Sequence, residues 1–392
     1  MDAAVHVLVF PWPRQGHINP MLHFATALVD AGLQVTFLHT EHNLRRLPQA
    51  PLPPRLRLLS IPDGLPDDHP RSFLELLESM RKTSSAAYRA LLLSADAPVT
   101  CVVADGTMPF AIDVAEELGI PALAFATHSA CSYLALLSMP KLVELGETPF
   151  PADDLVCGVP GMEGFLRRRD LPRGLYCTEQ GEGDPWMLKL AEVTARSSKA
   201  CALILNTTTS MEQPALAHIA SRTSDVFAVG PLHARSRLTA SASLWQEDDG
   251  CMAWLDSHED QSVVYVSLGS RAVITHEQFT EFLSGLVATG YAFLWALRPD
   301  MVQMTSSTLL REAIGAVEGG KAHVVEWAPQ RDVLRHRAVG CFLREAMVSD
   351  EIRGVAQAMA QQLRLDVAQV GSSSSELERL VRFIRELSIR SC

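Results

Sequence analysis

Short apolar segments alternate with helical patterns along the first half of the chain. Val5–Phe10 is almost wholly apolar, and a helical pattern over Asn19–Ala31 separates it from the next apolar segment, Val35–His39. A strand–helix–strand order predicts parallel strands joined by a right-handed crossover. Because these strands are apolar on both faces, the pattern predicts a doubly wound α/β domain. The other predicted strands are Leu56–Ile61, Thr100–Ala104, Ala122–Ala126, Ala202–Leu205 and Val226–Val229, and the other predicted helices are Arg71–Ser94, Pro109–Leu118 and Ser129–Leu145.

The same alternation begins again after a polar stretch without periodicity, which predicts an interdomain linker. Predicted strands follow at Ser262–Ser267, Ala292–Leu297, His323–Trp327 and Val339–Leu343, with helices at His276–Ala288 and Gln330–Leu334. Beyond Leu343 the alternation ends, and the pattern predicts helices alone, to about Val367 and from about Glu376 to Ile389. The predicted domains are residues 1–232, a linker at 233–248, an early-ending second domain at 249–343 and C-terminal helices at 344–392.

Composition narrows the classes of function. A chain of 392 residues with 47% hydrophobic residues is typical of a globular protein with a sizeable core. Its net charge of −11 argues against binding to nucleic acid. The sequence has no apolar run long enough for a membrane span and no basic segment of the kind that opens a signal peptide, so we expect a cytoplasmic protein. The eight cysteines are scattered, which predicts reduced thiols and no metal site.

Three polar residues follow predicted strands of the first domain. His17 lies between the first strand and the first helix, Asp105 ends the strand Thr100–Ala104, and Thr127 follows Ala122–Ala126. Parallel strands present their carboxyl ends at one edge of a sheet, where ligands bind. There a histidine can act as a general base, and an aspartate behind it fixes its tautomer. The alternatives are a surface or capping histidine and a helix-capping aspartate.

The second domain offers a weaker signal in the turn Ser267–Ser270. A Gly-Ser turn before a helix can present N–H and hydroxyl groups to a phosphate. The dinucleotide fingerprint GxGxxG and the P-loop GxxxxGK[ST] are both absent, which argues against a dehydrogenase and an NTPase. The sequence also lacks an Asp-x-Asp pair that would hold a metal-bound diphosphate.

A much more specific pattern runs over Glu326–Leu343. It resembles the opening of the signature box of plant family 1 UDP-glycosyltransferases. Gly16–Pro20, Tyr265–Ser270 and Phe293–Pro299 are similar to other motifs of that family, in the same order along the chain. The resemblance implies a GT-B fold, in which two Rossmann-like domains face each other across a cleft. The first domain would take the acceptor and the second the UDP-sugar.

The resemblance also implies roles for individual residues. His17 would deprotonate an acceptor hydroxyl, Asp105 would orient His17, and Thr127 would touch the sugar. The residues implied for the donor are Ser270 near the phosphates, Trp327 stacked on uracil, Ala328 paired with uracil through its backbone, and Gln330 at the ribose. The reaction would invert the anomeric carbon, with no metal and no cofactor besides the UDP-sugar co-substrate. The acceptor would be a small lipophilic flavonoid, terpenoid or iridoid.

The chain departs from the family after Leu343. The box should continue with a His-Cys-Gly-Trp-Asn-Ser stretch, a Glu, a strand and an Asp-Gln pair, but Leu343 runs directly into Arg344–Met347. The missing part would hold the diphosphate, the ribose and the sugar hydroxyls. Each charge-assisted hydrogen bond to a phosphate contributes roughly 1.5–3 kcal/mol. Losing three costs about 4–9 kcal/mol, so we expect donor binding in the millimolar range or weaker.

Two functions therefore remain open from the sequence. One is an inverting UDP-glycosyltransferase, with UDP-glucose as the expected donor and His17 as general base. The other is a catalytically inactive shortened form that binds small molecules or a partner subunit. A dehydrogenase is disfavoured because the glycine fingerprint is missing.

Overall fold

The computed structural model describes residues 5–47, 52–94, 98–147, 153–171, 185–223, 225–235, 243–270, 272–302, 320–343, 359 and 361–390. Its contacts divide the chain into two compact units. Unit 1 comprises Met1–Ala242 together with Gln357–Cys392, and unit 2 comprises Ser243–Ala356. The boundary at residue 243 falls inside the stretch 233–248 that the sequence indicates as a linker. Most of the helix expected from Arg344 to Val367 lies outside the described residues; 361–367 are helical.

Unit 1 is built on a seven-stranded parallel sheet with the order β3-β2-β1-β4-β5-β6-β7. The central strands β1, β4 and β5 are buried at every position, which explains why they are apolar except for His6 and Asp105 at two strand ends. All seven strands coincide with predicted strands to within two residues at each end. Their bounds are His6–Phe10 (β1), Gln34–Thr40 (β2), Leu56–Ile61 (β3), Cys101–Asp105 (β4), Ala122–Ala126 (β5), Ala202–Leu205 (β6) and Val226–Ala228 (β7).

The helices of unit 1 differ more from the sequence predictions than the strands do. Their bounds are Gln15–Asp30 (α1), Glu41–Leu44 (α2), Phe73–Ser79 (α3), Ser85–Ser94 (α4), Pro109–Glu117 (α5), Ala130–Leu137 (α6), Met139–Glu144 (α7), Pro185–Ser197 (α8) and Thr209–Ala220 (α9). The predicted helix over Arg71–Ser94 is interrupted by a π-helical turn at Met80–Ser84. The predicted helix over Ser129–Leu145 is two helices that meet at Ser138, where Pro140 allows a new first turn.

The start of α1 corrects one prediction that bears on the site. The sequence predicts a loop that contains proline and glycine after the first strand, followed by a helix that starts at Asn19. The helix begins instead at Gln15, with Pro20 inside it. His17 is therefore a residue of the first helical turn and does not belong to a loop.

Unit 2 contains a four-stranded parallel sheet with the order β10-β9-β8-β11. The strands are Val263–Ser267 (β8), Ala292–Ala296 (β9), Ala322–Val325 (β10) and Val339–Leu343 (β11), and the helices are Gly250–Asp256 (α10), His276–Ala288 (α11) and Gln330–Val333 (α12). Two apolar clusters cover the sheet, one around Trp295 and Phe279 and the other around Tyr265 and Leu294. Among the described residues, β10 and β11 form the two edges of this sheet.

The last helix of the chain, Ser372–Arg390 (α13), packs on unit 1. Leu380 and Ile384 are fully buried, and the ring of Phe383 lies 5.5 Å from that of Phe227 in β7. The sequence predicts a break over residues 371–375, but the helix already begins at Ser372. Serine is a common first residue of helices, because its hydroxyl can bind free backbone groups there.

Candidate active site

The carboxyl ends of β1, β4 and β5 bring three predicted site residues together. His17 Nδ1 lies 2.8 Å from Asp105 Oδ2 and 3.1 Å from Thr127 Oγ1. The side chain of His17 is 25% exposed, whereas that of Asp105 is 2% exposed. The imidazole is therefore open to a ligand on one side and tied to a buried carboxylate on the other.

Asp105 is held as an anion despite its burial. Burial alone raises the pKa of Asp105, but the charge of His17 and hydrogen bonds from His17 and Thr107 outweigh that effect, so the pKa is lowered overall. The Thr107 backbone N–H donates to Asp105 Oδ1 at 2.9 Å, which leaves Oδ2 for His17.

The tautomer of His17 follows from this arrangement. An ionised carboxylate can only accept hydrogen bonds, so Nδ1 of His17 carries the proton that points to Asp105. Nε2 then keeps its lone pair and can accept a proton from a ligand. The arrangement is that of an imidazole general base oriented by an aspartate.

A second histidine, His128, lies beside the pair and was not predicted from the sequence. Burial, and to a smaller extent the charge of His17, lowers its pKa to about 4, while the charge of Asp105 opposes this shift. Its ring lies 5.7 Å from that of Tyr133, and its Nε2 has no hydrogen-bond partner among the described residues. His128 is thus uncharged near neutral pH. Its position directly after Thr127, behind a buried strand, was the available sequence signal.

The predicted donor residues lie in unit 2. Ser270 closes a turn after β8 in which Gly269 has a φ of +76°, a conformation that favours glycine. Trp327 is half-buried after β10, Ala328 is buried, and Gln330 is exposed at the start of α12. These four residues therefore belong to one unit, whereas the three residues around the imidazole belong to unit 1.

Two further residues contact this group. Trp245 stacks on Trp327, with ring centres 5.9 Å apart and an angle of 18° between the planes. Arg298 is 3% exposed and donates to the backbone oxygen of Ser270 at 2.9 Å. Neither residue was assigned a role from the sequence. Trp245 falls in the predicted linker, where a large aromatic residue in a polar segment could have indicated a binding role. Arg298 falls inside the motif Phe293–Pro299, which indicated the family but no role for a single residue.

The described part of the chain shows no group of three or more His, Cys, Asp or Glu side chains arranged to hold a metal ion. Within the same residues, no helix combines the length and the apolar character that crossing a membrane requires. Six cysteines are described, and each is unpaired.

Comparison with known proteins identifies the family. Residues 193–355 match the family model of UDP-glucoronosyl and UDP-glucosyl transferases. The chain is 45% identical over 360 residues to the myricetin 3-O-rhamnoside 1,2-glucosyltransferase of Crocosmia x crocosmiiflora, covering 87% of this chain and 75% of that protein. It is 38% identical over 374 residues to the 7-deoxyloganetic acid glucosyltransferase of Catharanthus roseus, covering 87% and 77%. The chain belongs to the plant family 1 UDP-glycosyltransferases.

Solved structures agree with this assignment at the level of the fold. This UDP-glycosyltransferase resembles a UDP-glucose:anthocyanidin 3-O-glucosyltransferase solved with UDP, with a TM-score of 0.78, 20% identity, and coverage of 98% of this chain and 100% of that chain. It resembles a Medicago truncatula enzyme solved with UDP-glucose with a TM-score of 0.71, 19% identity, and coverage of 97% and 98%. The predicted GT-B class of two α/β domains is confirmed.

Proposed function

We propose that this UDP-glycosyltransferase transfers glucose from UDP-glucose to a hydroxyl group of a small lipophilic acceptor. The proposal is supported by the names of its relatives, which include glucosyltransferases for a flavonol glycoside and an iridoid acid. The single observation that carries it is the partly exposed His17 imidazole, bound at 2.8 Å to the buried Asp105 carboxylate. That pair supplies the base that an alcohol needs to become a nucleophile at neutral pH.

The proposed reaction is a direct displacement. His17 Nε2 accepts the proton of the acceptor hydroxyl while the hydroxyl oxygen forms a bond to the anomeric carbon of glucose. The bond from that carbon to the UDP oxygen breaks, and its electron pair leaves with UDP. Because attack and departure take place on opposite faces, the configuration inverts. Asp105 stabilises the imidazolium that forms, and Thr127 lies beside it to contact the sugar.

Unit 2 takes the nucleotide in this proposal. The indole of Trp327 offers a flat apolar surface to uracil at low entropic cost. Ala328 supplies backbone groups to the uracil edge, Gln330 reaches the ribose, and Ser270 presents its hydroxyl to the phosphates. The exposed position of Gln330 and the half-buried position of Trp327 are compatible with these roles.

A product assay tests the proposal. The full chain is incubated with UDP-glucose and a panel of flavonol, terpenoid and iridoid acceptors, and glucosides are detected by mass spectrometry. The anomeric coupling in the NMR spectrum of the product reports inversion. His17→Ala should abolish the product, whereas the control His218→Ala, in helix α9, should leave it unchanged. Product formation by His17→Ala at the wild-type rate would remove His17 as the base.

A second candidate function rests on the end of the signature box at Leu343. The match to the Crocosmia enzyme leaves a quarter of that protein uncovered, and β11 is one of the two edge strands of the described sheet of unit 2. A chain that keeps the His17 site but lacks donor contacts would bind acceptors without transferring sugar. Acceptor binding by calorimetry, combined with no product even at millimolar UDP-glucose, would favour this second function.

A further inference from the structure

An unbroken series of contacts in unit 2 joins the Ser270 turn to the ring of Trp327. Arg298 Nη1 donates to the backbone oxygen of Ser270 at 2.9 Å, and Nη2 donates to that of Ala272 at 2.7 Å. The Cζ atom of Arg298 lies 5.7 Å from the ring centre of Trp245. Trp245 in turn stacks on Trp327 at 5.9 Å. In the proposed donor site, the Ser270 turn and the ring of Trp327 are thus joined through the side chains of Arg298 and Trp245.

Arg298 is suited to this position by its shape. Its planar guanidinium donates in its own plane to two backbone carbonyls while its face lies over an indole. Asp300 contributes a partner at 3.2 Å, which partly compensates for burying the charge. A lysine ammonium has no flat face and no fixed pair of donors, so it cannot make both kinds of contact at once.

Trp245 fixes the ring of Trp327 from one side. Stacking covers one face of that ring, so a flat base would have to bind on the opposite face. The backbone is held as well, because the N–H of Asp248 donates to the carbonyl of Trp327 at 2.9 Å. The segment that contains Trp245 therefore supports Trp327 through both its side chain and its backbone.

We infer that Arg298 and Trp245 are positioning residues of the nucleotide site, which hold the Trp327 ring and the Ser270 turn at a fixed spacing so that uracil and diphosphate bind together. The inference rests on the proposed function, since it takes a uridine diphosphate as the ligand. Neither residue needs to touch the ligand: Trp245 acts through Trp327, and Arg298 acts through Trp245 and the Ser270 carbonyl.

Ligand-observed NMR titrations of the full chain with uridine and with UDP test this. Trp245→Ala should weaken both ligands by about fivefold, because the base-binding ring loses its support. Trp245→Phe should restore most of the affinity, because an aromatic face remains. The matched control is Trp254→Ala, since Trp254 is a half-buried indole of the same unit that stacks on His323 at 5.2 Å, near the start of β10.

Arg298→Lys should affect binding of the diphosphate more than binding of the uridine part of the ligand. It should weaken UDP by about tenfold and uridine by less, because it releases the Ser270 turn as well as Trp245. The control Arg335→Lys changes an exposed arginine of the same unit and should leave both affinities unchanged. If Arg298→Lys fails to fold, the pair Trp245→Ala and Trp245→Phe carries the test.

The outcomes separate this inference from the function on which it rests. If the wild type binds UDP and both Trp245→Ala and Arg298→Lys bind it with the same affinity, the inference is overturned and the proposed function is not. Tighter binding by Trp245→Ala also overturns it, because Trp245 would then cover the face that the base needs. Failure of the wild type to bind either uridine or UDP at millimolar concentration overturns the proposed function together with the inference.

Discussion

Burial and hydrogen-bond partners together determine the charge of the ionisable side chains at the carboxyl edge of the unit 1 sheet. Asp105 remains ionised inside the protein because His17 and Thr107 bind both of its oxygens. His128, close by, has no such partner at Nε2 among the described residues, and burial keeps it neutral by lowering its pKa to about 4. Neighbouring groups with opposite environments thus give one charged and one neutral side chain beside the His17 imidazole.

Replacing Asp105 with asparagine should lower the catalytic rate. The amide keeps the size of the side chain but can donate to Nδ1 of His17, which favours the wrong imidazole tautomer. We expect kcat to fall by a factor on the order of 10³ while KM for the donor stays unchanged. Steady-state kinetics check this, with Asp113→Asn on helix α5 as control. A wild-type kcat in Asp105→Asn would contradict the orienting role.

The buried side chain of His39 should make the stability of the protein depend on pH. Burial lowers the pKa of His39, in β2, to about 4, and its Nδ1 has no hydrogen-bond partner among the described residues. As the pH falls, His39 takes up a proton near pH 6.5 in the unfolded chain but only near pH 4 in the folded chain. Stability is therefore full above pH 6.5 and falls as the pH drops towards 4.

Chemical denaturation at pH 7 and pH 5 checks this prediction. His39→Leu should reduce the loss of unfolding free energy between these pH values by about 2 kcal/mol. His276→Leu, at an exposed position of α11, is the control and should leave that loss unchanged. An equal loss in wild type and His39→Leu would show that His39 titrates alike in both states.

At the scale of elements, buried strands were the most predictable feature. In an α/β chain, short continuous apolar segments such as Val7–Phe10 are typical of buried strands. Because β1 and β4 are parallel, the sequence predicted that His17 and Asp105 lie at the same edge of the sheet, and they are in contact there. Helix ends were less predictable: the predicted start of the first helix was Asn19, whereas α1 begins at Gln15. Trp245 and Arg298 were missed since their contacts depend on residues distant in sequence.

The edge strand β11 gives a prediction at this scale. Its register shifts between Val339 and Cys341, and Gly340 at that shift approaches the backbone of Gln261 so closely that a Cβ would lie 2.3 Å from the Gln261 oxygen. Gly340→Ala should therefore destabilise unit 2 by about 2 kcal/mol or more, because backbone must move. Thermal denaturation measures this.

A glycine in a helix provides the matched control. Gly285 is exposed in α11, and a Cβ added to it would meet no other side chain or packed backbone within 4 Å. Gly285→Ala should stabilise the protein by up to about 1 kcal/mol, because alanine has the higher helix propensity. Equal effects of the two substitutions would contradict the close approach of β11 to Gln261.

For the whole molecule, the important feature is that the chain returns to unit 1 after unit 2. Helix α13 lies on β7, where the guanidinium of Arg379 lies 3.9 Å from the ring centre of Phe227 and Ile384 is fully buried. Residues far apart in the sequence therefore pack together in unit 1. Sequence patterns predicted this helix but could not indicate which unit it joins, since an amphipathic face fits any apolar surface.

Two isoleucines of α13 test this arrangement. Ile384→Ala should destabilise unit 1 by about 2–5 kcal/mol, because it leaves a cavity in the core. Ile389→Ala changes a side chain that is 75% exposed and should have almost no effect. Calorimetric unfolding reports both variants. Identical transitions for Ile384→Ala and the wild type would show that α13 does not pack on unit 1.

We propose that His17 activates an acceptor hydroxyl and that the sugar donor binds only weakly. The most direct measurement is the rate of glucoside formation by the full chain as the UDP-glucose concentration rises from micromolar to millimolar. We expect a rate that still increases in the millimolar range and that vanishes in His17→Ala. Saturation at micromolar UDP-glucose, or an undiminished rate in His17→Ala, would contradict it.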